Sequence, residues 1–171
     1  MNISQITYKE YSTFFSTYIN KLEDVELLAE LEEGRKRFKE LIIAIPPGKL
    51  YKAYEKDKWS LAEVLMHCID TERVFQYRVL RIARNDKTDL RGFNQDDFVP
   101  FSNANSRTAE DLLEEYNIVR DSSIFLVKNL TENDLLRTGI VEGEKISARA
   151  MAFIICGHQL HHEKIIRERY L

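Results

Sequence analysis

The sequence predicts an all-α fold, a four-helix bundle running up-down-down-up with a long crossover between helices two and three. Three observations carry that expectation. Six glycines and three prolines in 171 residues are too few for an all-β chain, which needs a turn signal about every 8–12 residues. Four long segments place apolar residues at three- and four-residue spacing, as helices with one buried face require. The second and third of these are separated by residues 86–106, enough chain to travel the length of a bundle and start the next helix in the same direction. A short loop would instead force antiparallel neighbours.

Residues 1–19 mix Tyr and Phe with polar residues and predict a short helix or an arm packed against the body. The first long helix is expected from about Asn20 to Ile45, through Leu22, Val25, Leu28, Leu31, Phe38, Leu41 and Ile42. Pro46-Pro47-Gly48 ends it, because proline lacks the amide donor and clashes with the preceding turn. The second helix opens with a capping box, Ser60 as N-cap and Glu63 three residues on. Its stripe is Leu61, Leu65, Cys68, Phe75, Val79 and Ile82, interrupted by Glu72, and it runs out near Arg84-Asn85-Asp86. Residues 86–106 have no helical period and read as a connector. Thr108-Ala109-Glu110-Asp111 opens the third helix, with Leu112, Leu113, Tyr116, Val119, Ile124, Val127 and Leu130 inside. Thr131 to Ile146 reads as a second connector with a tight turn at Val141-Glu142-Gly143-Glu144. Ser147 caps the last helix, which extends to about Tyr170. No repeat or linker divides the chain, so residues 1–171 are expected to form one domain.

Composition narrows the function classes. Hydrophobic residues at 44% and charged residues at 31% are those of an ordinary globular protein. A net charge of −3 offers no basic patch to neutralise phosphates, so nucleic acid is not an expected partner. Cys68 and Cys156 lie inside apolar helical patterns with no CxxC; reduced core thiols, and with them a cytoplasmic location, are expected. The N-terminus lacks a basic stretch followed by an apolar one. The longest apolar run, Ala150–Cys156, falls far short of the roughly 20 residues that cross a bilayer, so no membrane partner is expected.

All four histidines fall on two helices: His67 on the second, and His158, His161 and His162 on the fourth. At about 100° per residue, His158 and His162 lie within roughly 40° of each other, one turn apart on the face of Met151, Ile155 and Ile165. His161 is rotated away from both. Such a pair also suits a hydrogen-bonded core, so the third histidine matters. His67 lies about 10 Å along its helix from Ser60, while His158 and His162 lie about 18 and 12 Å back from the end of theirs. Antiparallel helices bring the three rings level; parallel ones make them miss by roughly a turn.

The ordered pattern W-S-x-x-E-x-x-x-H (Trp59 to His67), then Asp70-Thr71-Glu72, then Gly157-His158-Gln159-Leu160-His161-His162, resembles the DinB-like superfamily, the DNA-damage-inducible, YfiT-like group. Tyr77 to Arg84, Gly92-Phe93-Asn94 and Arg137-Thr138-Gly139 also look like one of its subgroups. The resemblance covers residue 20 to the end. It implies a four-helix bundle of the order above, with one divalent metal ion held by His67, His158 and His162. It also implies enzymes of two kinds, metal-dependent hydrolases and transferases that use a low-molecular-weight thiol as cosubstrate.

Three neutral imidazoles with an open position describe a catalytic site, since structural zinc normally takes four protein ligands. Nitrogen ligation suits zinc, nickel, cobalt and iron alike. Asp70, Glu72 and His161 are the residues expected around the ligands. Asp70, one turn after His67, is a candidate to orient its ring, and Glu72, on the apolar stripe, needs an arginine such as Arg78, Arg81 or Arg149. The acidic segment Gln95-Asp96-Asp97-Phe98 is a candidate lid. The expected partners are a small-molecule substrate and a second copy of the chain in a homodimer. A non-catalytic metal- or ligand-binding protein is the alternative.

Overall fold

The computed structural model describes residues 1–171. In chain order its elements are α1 (Thr13–Ile19), α2 (Leu27–Ile43), α3 (Leu61–Ala83), β1 (Asp89–Leu90), α4 (Gln95–Phe98), α5 (Ala109–Lys128), α6 (Glu132–Leu136), β2 (Thr138–Val141), β3 (Glu144–Ser147) and α7 (Ala148–Arg169). The four long helices α2, α3, α5 and α7 are those expected from periodicity, and their caps follow the sequence. The Ser60 hydroxyl accepts from the Glu63 amide while the Glu63 carboxylate accepts from the Ser60 amide. Thr108 and Ser147 accept from the amides of Asp111 and Ala150, satisfying donors that the first turn leaves free. No helix is long and apolar enough to cross a membrane.

The first long helix starts at Leu27, not Asn20. The Ile3 amide donates to the Val25 carbonyl and the Leu27 amide to the Met1 carbonyl, so the backbone just before α2 is spent on the N-terminal strand-like bridge Asn2–Glu26. A tertiary pairing thus overrides a favourable helical pattern. The region 131–146 is more than a connector. It holds α6 and an antiparallel hairpin, β2 with β3, pairing Thr138 with Ser147 and Val141 with Glu144. The tight turn falls where expected: Glu142 and Gly143 both have positive φ, 52° and 78°, the mirror-type two-residue turn whose twist matches a hairpin. The strand β1, in the other connector, pairs parallel to β2.

Helix directions follow from residue pairs. At one end of α3 and α7 the Tyr170 hydroxyl donates to the Trp59 carbonyl at 2.7 Å. At the other, Arg137 donates to the Ala83 carbonyl and accepts from the Ala148 amide. The two helices therefore run antiparallel. Along α3 and α5 the pairs Ser60–Asn105, Glu72–Arg120 and Gln76–Ser122 advance together, so these two run parallel.

The interior is two apolar clusters with a polar layer between them. One cluster gathers Leu27 and Leu31 of α2, Phe75 to Ala83 of α3, Val127 of α5 and the first half of α7. The other gathers Phe38 to Ile42 of α2, Leu61 to Ile69 of α3, Leu112 to Val119 of α5, and Ile166. Between them, the fully buried Arg120 donates to both carboxylate oxygens of Glu72 (2.7 and 2.8 Å), to the Leu31 carbonyl and to Gln159. Tyr116 and Gln159 complete the layer, both donating to the Gly34 carbonyl. The partner of Glu72 is thus Arg120 and none of the arginines expected. Arg78, Arg81 and Arg149 are engaged with the Arg91 carbonyl, Asp86 and Glu10. Buried charges persist only when paired and hydrogen-bonded, and this layer meets that condition.

Candidate metal centre

His67 sits in the second turn of α3, placed by the Ser60 cap. Asn105 locks that cap from the crossover, accepting from the Ser60 hydroxyl and donating to the Glu63 carboxylate. His158 and His162 come from the middle of α7. Beside them Gly157 lets α1 approach closely: a Cβ there would stand 2.3 Å from the Tyr18 carbonyl oxygen. That contact lays the Tyr18 ring against His158 at 5.3 Å.

The three imidazoles converge. Their ring centroids are 5.1 Å (67–158), 4.8 Å (67–162) and 4.5 Å (158–162) apart, and one nitrogen from each falls within 4.8 Å of the others. Nε2 of His67 and Nε2 of His158 are 3.2 Å apart. Two nitrogens on one tetrahedral zinc, each at about 2.0–2.1 Å, stand about 3.3 Å apart, so this pair has the spacing of two ligands on a single ion, with a nitrogen of His162 close by. The Nδ1 of His67 lies 3.3 Å from the Thr71 hydroxyl. In the tautomer whose Nδ1–H donates to that oxygen, the Nε2 lone pair faces the centre.

Electrostatics point the same way. Burial, with a smaller contribution from His161, pushes His67 down to about 4. Burial and then the neighbouring imidazoles push His158 and His162 well below the ordinary histidine value. All three rings are therefore neutral near pH 7, the state in which imidazole offers a lone pair.

The rings form part of the lining of a cavity of about 590 Å³. Trp59, just before the α3 cap and 5.1 Å from His67, and Phe75 of α3, 5.6 Å from His158, wall it on one side. Phe14, Phe15 and Tyr18 close it from α1, and Val141, Glu142 and Glu144 reach it from the hairpin. The aromatic wall from residues 12–18 and the hairpin rim had no counterpart in the sequence reading. They come from short elements placed by distant parts of the chain, α1 by α7 and the hairpin by α3 and β1.

The residues expected around the ligands divide. His161 lines the cavity and packs on Tyr18 and His162, yet it contributes no nitrogen to the cluster. Asp70 does not orient His67; it turns outward to Arg73 at 3.6 Å, and Thr71 takes that place. Glu72 belongs to the polar layer. Of the expected lid only Gln95, with Phe93 just before it, reaches the cavity, while Asp97 and Phe98 face a separate depression beside Asp70. Cys68 and Cys156 are buried and free, their thiols pushed up by burial, Cys156 to about 12, so neither supplies a thiolate.

The sequence model of the DinB superfamily matches residues 30–166. The chain belongs to the DinB superfamily. Among solved structures, YfiT from Bacillus subtilis superposes with a TM-score of 0.75 at 16% identity, over 93% of this chain and 91% of its own. YfiT is described as a probable metal-dependent hydrolase with an unusual four-helix bundle topology. A DinB-like protein from the same organism, YjoA, superposes with a TM-score of 0.60 at 17% identity, over 83% of this chain and 87% of its own. At such identities the likeness establishes a shared DinB fold. No curated protein sequence matches the chain.

Proposed function

We propose that His67, His158 and His162 hold one divalent metal ion, and that the protein is a metal-dependent enzyme, a hydrolase acting on a small molecule. The observation that carries this is the convergence of three buried, neutral imidazoles on one point at the wall of a cavity large enough for a substrate. The up-down-down-up order belongs to the same proposal, since it brings α3 and α7 together antiparallel with their histidines level. An ion bound there would lower the pKa of a water or thiol, supplying a nucleophile at neutral pH. Thr71 holds the His67 ring, and Trp59, Tyr18 and Phe75 keep bulk water from the imidazoles. The carboxylates of the cavity, Glu142 and Glu144, are exposed at its rim, where they can meet a substrate or proton arriving from solvent. A transferase using a low-molecular-weight thiol is the alternative chemistry on the same residues.

The test is elemental analysis of untagged protein, followed by turnover assays. One ion per chain is expected in the wild type, and less than about a tenth of that in His67→Ala and His158→Ala. Ester and amide panels are then compared with conjugation of a bimane electrophile to small thiols. Hydrolysis abolished by both substitutions supports the leading reading, and conjugation without hydrolysis supports the alternative. Metal content unaffected by the substitutions refutes the site. Full metal occupancy without turnover of any probe leaves a binding protein.

A further inference from the structure

His67, Thr71, Phe75 and Arg78 follow one another along α3 at intervals of four, four and three residues, and all four line the cavity. This spacing keeps them on one face. Arg78 is 3% exposed, yet it forms no ion pair; one terminal nitrogen donates to the Arg91 carbonyl at 3.0 Å. A guanidinium carries five N–H donors and a charge that interiors seldom leave unmatched. The other buried arginine, Arg120, is matched by Glu72. Burial works against the charge on Arg78 and only Glu142 offsets it. The Glu142 carboxylate, however, rests over Gly92, occupying the space where a Cβ would stand.

We propose that Arg78 receives an acidic group of the substrate, so that the cavity selects a small organic acid whose anionic end docks on α3 beyond Phe75 and whose other end reaches the histidines. Phe75 is a common neighbour of the two ends: its ring centroid is 5.8 Å from the guanidinium carbon and 5.6 Å from the His158 centroid. His67 and Arg78 are about 16 Å apart along the helix axis, a span that the backward lean of helical side chains shortens for the long arginine. A molecule of a few carbon–carbon bonds bridges what remains, and a planar fork of N–H donors suits a carboxylate. The proposal rests on the cavity being the substrate site, as above, but not on the metal.

The test uses the full chain stripped of metal with a chelator, and Trp59, the one tryptophan, as fluorescent reporter on the cavity wall. Titrations compare phenylacetate through phenylhexanoate with the matching primary amides. At least one acid should bind about tenfold or more tightly than its amide, as a charge-assisted hydrogen bond provides. Arg78→Gln keeps an amide donor for the Arg91 carbonyl and should erase the preference, whereas Arg78→Lys should retain part of it. If Arg78→Gln does not fold by circular dichroism, the ¹⁵N resonance of the wild-type Arg78 Nε–H decides: the acid should shift it and the amide should not. Equal affinities across the series, no response to any probe, a preference that survives Arg78→Gln, or an unmoved resonance would each overturn the proposal. Because the ion is removed before the titrations, the two readings are separable: loss of the acid preference overturns this proposal alone, and metal content unaffected by His158→Ala overturns the metal reading alone.

Discussion

At the scale of single residues, the small hydroxyl of Thr71 stands 3.3 Å from Nδ1 of His67, where it can accept from that nitrogen and turn Nε2 to the centre. Thr71→Val keeps the shape and removes the acceptor. Metal affinity should fall about 10- to 100-fold with the melting temperature nearly unchanged, as measured by competition with a chromophoric chelator. The three histidines were legible in the sequence because helical geometry is strict: four residues bring two rings to one face, and axial height brings the third level. Their surroundings were not. Asp70 and Thr71 both lie about one turn from His67, and only the packed structure shows that Asp70 leans to Arg73 while Thr71 faces the ring. The partner of Glu72 was equally hidden, since Arg120 arrives from another helix 48 residues away.

At the scale of elements, the N-terminal arm is tied to the start of α7 by one carboxylate. Glu10 accepts from Arg149 through both oxygens at 2.7 Å and from the Ser147 hydroxyl at 2.8 Å. Burial raises its pKa, but the hydrogen bonds from Arg149, Thr7 and Ser147 outweigh that and bring it down to about 2 from 4.5. A folded-state value below the unfolded one stabilises above the unfolded pKa and is lost as pH falls toward the folded one. Glu10→Gln should therefore melt below wild type at pH 7, with the gap closing between about pH 4.5 and 2 in an acid series of thermal melts. The hairpin makes a second element-scale prediction. Gly143→Ala places a side chain at φ 78° and should cost about 1 kcal/mol, read as a lower denaturation midpoint. The long helices could be read from their period, but strands of two and four residues are too short for alternation to register. Only the turn between β2 and β3 left a trace in the sequence.

At the scale of the whole molecule, the polar layer divides the interior and couples all four long helices. Arg120→Leu alone strands the Glu72 carboxylate and should destabilise by about 3–5 kcal/mol. Replacing Glu72 and Arg120 together with leucine should recover most of that in urea denaturation, because the uncompensated charge is gone. The bundle itself was legible in the alternation of four periodic segments with connectors, whereas the cavity was not. Its walls come from both ends and the middle of the chain, and the imidazoles that meet at 3.2 Å are separated by 91 positions. A chain emerging from the ribosome therefore presents His67 alone until its final helix is made. Acquisition of the ion would then be confined to finished molecules, and half-made ones would neither scavenge the cell's metal nor expose a prematurely reactive centre.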